Sequence, residues 1–114
     1  MAGGPIILRA ARRELAAARR WYEERDPEVA ARFAAAIAAT FRSIIAAPER
    51  SSFLRSPAAG ARFPKSARVR RAFVRDFPYV VLFDVTSAGD VRMIAIAHQA
   101  RKPGYWRTRI RGDG

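Results

Sequence analysis

The only histidine of the chain, His98, opens a short stretch crowded with groups able to move protons or hold anions: His98-Gln99-Ala100-Arg101-Lys102-Pro103-Gly104-Tyr105-Trp106. An imidazole titrates near neutral pH and can pass a proton in either direction. Arg101 and Lys102 offer positive charge to a phosphate, and Tyr105 and Trp106 offer ring faces on which bases stack. A second concentration lies upstream, where Arg68, Arg70, Arg71 and Arg75 are interleaved with Val69, Ala72, Phe73 and Val74. Successive side chains of a strand take opposite faces, so this pattern sends guanidinium groups to both. Plainer readings stay open beside these. The charges can serve to discourage edge pairing, the rings to anchor the C-terminus on the core, and the histidine to end a strand.

Other chemistries lack their residues. With no cysteine there is no disulfide, thiolate nucleophile or thiolate metal site. One histidine without a nearby Asp or Glu pair at ligand spacing does not make a metal centre, so no metal is expected. The seven glycines are scattered, and none sits between a strand and a helix as a phosphate-cradling loop requires, so no nucleotide cofactor is expected either. No serine occupies a strand-to-helix elbow.

The formal charge is +12, from 22 Lys and Arg against 10 Asp and Glu, a potential attractive to polyanions and acidic proteins. It is uneven: residues 1–57 hold ten bases and six acids, net +4, and residues 58–114 hold twelve bases and four acids, net +8. Twenty of the bases are arginine, and a GC-rich coding preference accounts for abundant Arg and Ala without reference to function; it accounts less well for local clustering.

These groups need elements to position them. Ile6 to Leu8 reads as a first strand. From Ala10 the spacing turns helical, with Ala11, Leu15, Ala18 and Tyr22 on one face and arginines opposite. A break at Glu24 to Asp26 precedes Asp26-Pro27-Glu28, a helix start in which Asp26 caps free amides and Pro27 takes the first helical position. Ala30, Phe33, Ile37, Phe41 and Ile44 then form a continuous apolar stripe that ends near Ala46, before Pro48. Residues 48–66 form a long connection that Phe53, Leu54 and Phe63 are expected to pin to the core. Three strands follow in an antiparallel meander: Arg68 to Arg75, Tyr79 to Thr86 and Val91 to His98, with turns at Asp76-Phe77-Pro78 and 87–90. The fold class expected is α+β, two N-terminal helices packed on one face of a three-to-four-stranded antiparallel sheet, with the other face free. Residues 6–107 are expected to form a single domain and 108–114 a flexible basic tail. No run of about 20 consecutive apolar residues and no signal peptide is seen, so a cytoplasmic protein with no membrane association is expected.

One further observation concerns order. Glu14-Leu15, Trp21-Tyr22-Glu23, Asp26-Pro27, Arg32-Phe33, Ile44 to Pro48, Val69-Arg70-Arg71, Phe77-Pro78-Tyr79 with Val81-Leu82-Phe83, and Ala97-His98-Gln99 through Lys102-Pro103-Gly104-Tyr105-Trp106 follow one another at spacings that resemble the RelE/ParE toxin family, across residues 6–107. The resemblance implies the toxin of a type II toxin-antitoxin system, of the plasmid stabilisation kind. Such a toxin inhibits growth and is neutralised by a cognate acidic antitoxin that wraps it. Two activities occur in the family: RelE-like members are metal-independent endoribonucleases that cut messenger RNA on the ribosome, and ParE-like members bind and inhibit DNA gyrase. As a nuclease, the chain would grip the scissile phosphate with Arg70 or Arg71, add charge through Arg101 and Lys102, and move protons with His98 or Tyr105. As a binder, it would present Arg68, Arg70, Arg71, Gln99, Arg101, Lys102, Tyr105 and Trp106 to target or nucleic acid. Ala100 stands where many relatives carry arginine, and Trp106 stands about where RelE-like enzymes place a catalytic tyrosine; an indole is no proton donor of that kind. No lysine pair marks the second helix. A third reading is a degenerate, non-toxic relative that only binds antitoxin or nucleic acid.

Overall fold

Asp26 joins the two helices of the N-terminal half without an intervening loop. Its backbone N–H donates to the Tyr22 carbonyl at 2.7 Å, closing α1 (Arg9–Arg25), and its carboxylate accepts from the Glu28 N–H at 3.0 Å, capping α2 (Pro27–Ala46). Pro27 has no N–H to leave unpaired at the first helical position. The computed structural model describes residues 5–54, 68–102 and 104–110. Most of the expected connection at 48–66, including Phe63, lies outside these residues, as do Pro103 and residues 111–114.

By length and composition α2 is apolar enough to cross a membrane. In the fold its stripe of Ala30, Phe33, Ile37 and Ile44 is instead buried against the sheet. Phe33 is at the centre of an aromatic cluster with Tyr22, Phe77 and Tyr79 at 5.0 to 5.3 Å between ring centroids. Truncating a fully buried phenylalanine of this kind costs about 3 to 5 kcal/mol.

The sheet has four strands in the order β1-β4-β3-β2: β1 (Ile6–Ile7), β2 (Arg70–Phe73), β3 (Tyr79–Val85) and β4 (Val91–His98). The meander β2-β3-β4 is antiparallel as expected, but β1 lies parallel to β4, so the sheet is mixed. Parallel neighbours need a long crossover, which the helical hairpin and the first two meander strands provide. In the β2–β3 turn Asp76 adopts a left-handed φ of 70°, a conformation Asp tolerates well.

The helices cover one face of the sheet, burying Val81, Phe83, Met93 and Ile96. The opposite face is not bare. Val69, Leu82, Ile94, Ala95 and Ala97 form a second cluster there, closed by Trp106 at 2% exposure and lined by Leu54, Tyr105 and Ile110. Toward the other end of β3 and β4, Arg92 and Asp84 form a buried bidentate pair at 2.6 and 2.9 Å. Residues 108–110, placed in the expected flexible tail, belong to a 3-10 turn (Arg107–Ile110) whose Ile110 packs on the far cluster.

Candidate functional site

A one-residue irregularity decides where the lone imidazole points. Leu82 faces Ala95 and Phe83 faces Met93, so Ile94 is an extra residue on β4, a β-bulge. Beyond a bulge the alternation of faces reverses, as a one-residue slip in register does. Ile94 and Ala95 therefore both enter the far cluster, Ile96 returns to the helical side, and His98 follows it. There the imidazole stands edge-on to Tyr79, centroids 5.2 Å apart and planes at 81°.

His98 lies in a groove of about 480 Å³ between α1 and the end of β4, whose walls include Trp21, Tyr22, Tyr79, Arg101 and Tyr105. The Ala100 N–H donates to His98 Nδ1 at 3.0 Å. A neutral imidazole accepting at Nδ1 carries its proton on Nε2, which is then a donor. Arg101 lies 4.1 Å over the Tyr105 ring, and Arg25 lies 3.8 Å over Trp21, whose indole is half exposed.

The inner end of the groove is closed by Glu14, a residue to which the sequence reading gave no chemical role. One carboxylate oxygen accepts from the Ile96 N–H at 3.0 Å and from Arg109 at 2.7 Å; the other accepts from the Tyr105 hydroxyl at 2.5 Å and from Arg109 at 3.1 Å. Arg109 also donates to the Ile94 carbonyl at 3.1 Å. β1 spans only Arg92 and Met93, so beyond it two side chains take up backbone groups of β4 that a longer first strand would have paired. Gly104, at a φ of 83°, turns the chain so that Tyr105 reaches Glu14 while Trp106 goes into the far cluster. Burial first, and the bond to Glu14 second, hold the Tyr105 phenol neutral far above its ordinary range. The Arg109 guanidinium is held charged mainly by its bonds to the same carboxylate.

The arginines of β2 are elsewhere, and they divide. Arg70 stands opposite Phe83, and His98 stands opposite Tyr79, four residues away on β3 and two strands across. That is roughly 16 Å between Cα positions from strand geometry. Arg70 donates to the Ser51 carbonyl at 2.5 Å and lies 3.8 Å over the Phe53 ring, with Arg68 over the same ring at 5.8 Å. Phe53, expected to pin the connection, is 44% exposed beneath these guanidinium groups, whereas Leu54 does pack on the far cluster. Arg71, on the face of Leu82, lies 5.5 Å from the ring of Phe73, which is 58% exposed. Gln99 and Lys102 are exposed near the groove, while Trp106 is buried and offers no ring face for stacking. A second groove, about 850 Å³, runs between α2 and β2, lined by Ala35, Ala39, Thr40, Phe73 and Phe77 with Arg32 and Arg75 at its rim. Among the described residues no three of His, Cys, Asp and Glu gather as metal ligands would.

No curated protein sequence matches the chain significantly. The family described as the ParE toxin of the type II toxin-antitoxin system parDE matches residues 6–103, which takes in both helices, all four strands and the His98 end of the groove. The chain belongs to this family of toxins.

Proposed function

We propose that this toxin arrests growth by binding and inhibiting DNA gyrase, without cutting RNA. The observation that carries this reading is the commitment of both candidate proton carriers. The Tyr105 hydroxyl is spent on Glu14, and its phenol is held neutral. His98 receives a backbone N–H at Nδ1, which leaves Nε2 as a donor and the ring poorly set to abstract a 2′-hydroxyl proton. Arg101 supplies one cation beside those groups, but Arg70 and Arg71, which the nuclease reading needs to grip the scissile phosphate, stand well apart from them. Binding needs no proton transfer. An exposed indole beside arginines is the composition of an interface centre.

The partner in the resting cell is an antitoxin, as the family implies. We assign it an acidic segment covering the groove between α2 and β2, where Arg32 and Arg75 flank an apolar floor and Phe73 is exposed. Charge complementarity with a +12 toxin speeds its capture.

The experiment runs two assays on the purified toxin. DNA supercoiling by gyrase should be blocked, and messenger RNA on programmed ribosomes should stay intact. Position-specific cleavage with unimpeded supercoiling overturns the reading in favour of the RelE-like activity, and inertness in both, with antitoxin still bound, identifies a degenerate relative.

A further inference from the structure

We infer that the groove between α1 and β4 is a docking site for an acidic side chain of a partner protein, with Trp21 as its apolar wall. This deepens the reading of the toxin as an inhibitor that works by binding a protein, and it rests on that reading for the partner's identity.

The groove combines two kinds of recognition. Trp21 is 50% exposed, held in place by Tyr22 at 5.1 Å in an edge contact and by the Arg25 guanidinium over its ring. A large indole left in solvent but already fixed by its neighbours loses little freedom on binding, which suits it as an anchor. Two donors line the same groove without a hydrogen-bond acceptor among the described residues: the Nε2–H of His98, whose other nitrogen is occupied, and the guanidinium of Arg101, which lies over the Tyr105 ring. Donors of this type converging beside an aromatic wall match a carboxylate on a short stem, and a charged acceptor makes such bonds about twice as strong as a neutral one.

The acid already in the groove does not repel this ligand. Both oxygens of Glu14 are saturated by Arg109, Tyr105 and the Ile96 N–H, so its charge is compensated inside the fold. A volume of about 480 Å³ takes one side chain and its apolar neighbours. Nucleic acid fits the same groove less well. A phosphate backbone is read by a line of cations along its repeat, and the bases need open ring faces. Here Arg101 covers the Tyr105 ring and Tyr79 meets the edge-on His98, which leaves Trp21 as a single open ring in place of a row of stacking faces.

The two tryptophans provide the readout. Trp106 is buried at 2% exposure, so acrylamide quenching of the intrinsic fluorescence reports Trp21. The intact toxin is titrated with a capped peptide carrying one glutamate between leucines, with the same peptide carrying glutamine, and with a single-stranded DNA oligonucleotide. The glutamate peptide should protect Trp21 saturably, about tenfold more tightly than the glutamine peptide. Its affinity should fall with salt on a shallow slope, and R101A combined with H98A should abolish protection while the far-ultraviolet circular dichroism of the folded domain is retained. Equal binding of both peptides, no protection at all, an unaltered response in the double variant, or stronger protection by DNA with a steep salt slope each overturns the inference. Gyrase inhibition separates this outcome from that of the functional reading. If W21A and R101A inhibit supercoiling as strongly as the unaltered toxin, the docking site fails and the gyrase reading stands. If the glutamate peptide binds as described and gyrase is untouched, the site stands and the gyrase reading falls.

Discussion

The Tyr105 hydroxyl donates to the Glu14 carboxylate at 2.5 Å, joining the first turns of α1 to a residue ninety-one positions later. The same carboxylate holds Arg109 and the Ile96 N–H, so one side chain fastens the C-terminal turn to both α1 and β4. Both charged partners are less than a fifth exposed, which places the pair beyond the weak regime of surface ion pairs.

Replacing Glu14 with Gln should therefore lower unfolding free energy by about 2 kcal/mol, the scale of a charged hydrogen bond in a shielded setting. Tyr105→Phe, which removes one bond and no charge, should cost about 1 kcal/mol. Urea denaturation followed by circular dichroism checks both. Equal effects would show that the hydroxyl, rather than the ion pair, fastens the turn.

All three tyrosines, Tyr22, Tyr79 and Tyr105, have phenols raised above the ordinary value of 10.0, each first of all by burial. The folded state thus holds these protons more tightly than the unfolded chain. The resulting stability is fully present below pH 10 and is lost as the pH rises above it. A spectrophotometric titration of the folded toxin should show each phenolate appearing above the ordinary value, with Tyr105 the last. Independent titration of one tyrosine at its ordinary value would contradict the burial described.

Arg70 and Arg71 are neighbours with separate duties. Arg70→Ala removes the bond to Ser51 and the cover over Phe53 and should cost about 1 kcal/mol, loosening residues 51–54. Arg71→Ala, on an exposed residue, should change stability by less than about 0.5 kcal/mol. Thermal melts combined with hydrogen exchange of the 51–54 amides distinguish the two variants.

Asp84→Ala deprives the buried Arg92 guanidinium of its bidentate carboxylate and should cost about 3 to 5 kcal/mol. The joint change Asp84→Leu with Arg92→Met should be far milder, because neither charge then remains buried. Comparison of the two melting temperatures decides it.

How much of this was legible in the sequence depends on the range over which each signal acts. The helical hairpin was legible because Asp26-Pro27-Glu28 and the stripe from Ala30 to Ile44 are local, and the meander was legible because alternation and turn residues are local too. Two residues, Ile6 and Ile7, carry no information on which neighbour they will join, so the parallel pairing with β4 was not legible. His98 was found by its chemistry, but its side was fixed by the bulge at Ile94, and one apolar residue among Ile94-Ala95-Ile96-Ala97 looks like any other. The sequence leaves Trp106 open as a stacking platform or an anchor, and packing under the sheet makes it the anchor. Glu14 and Arg109 were missed for a different reason. On the sequence they are an ordinary helix acid and a base in a basic tail, and only the fold makes them partners.

The Glu14 network also fixes an order of events during synthesis. The chain is synthesised from its N-terminus, so α1 is made long before Arg109 exists. Until then the carboxylate can hold the Ile96 N–H but has neither its phenol nor its guanidinium, and the Ile94 carbonyl awaits Arg109. The groove is finished only when translation has passed residue 109, so a prematurely terminated nascent chain carries both helices and all four strands yet lacks the closed inner end on which its binding chemistry depends.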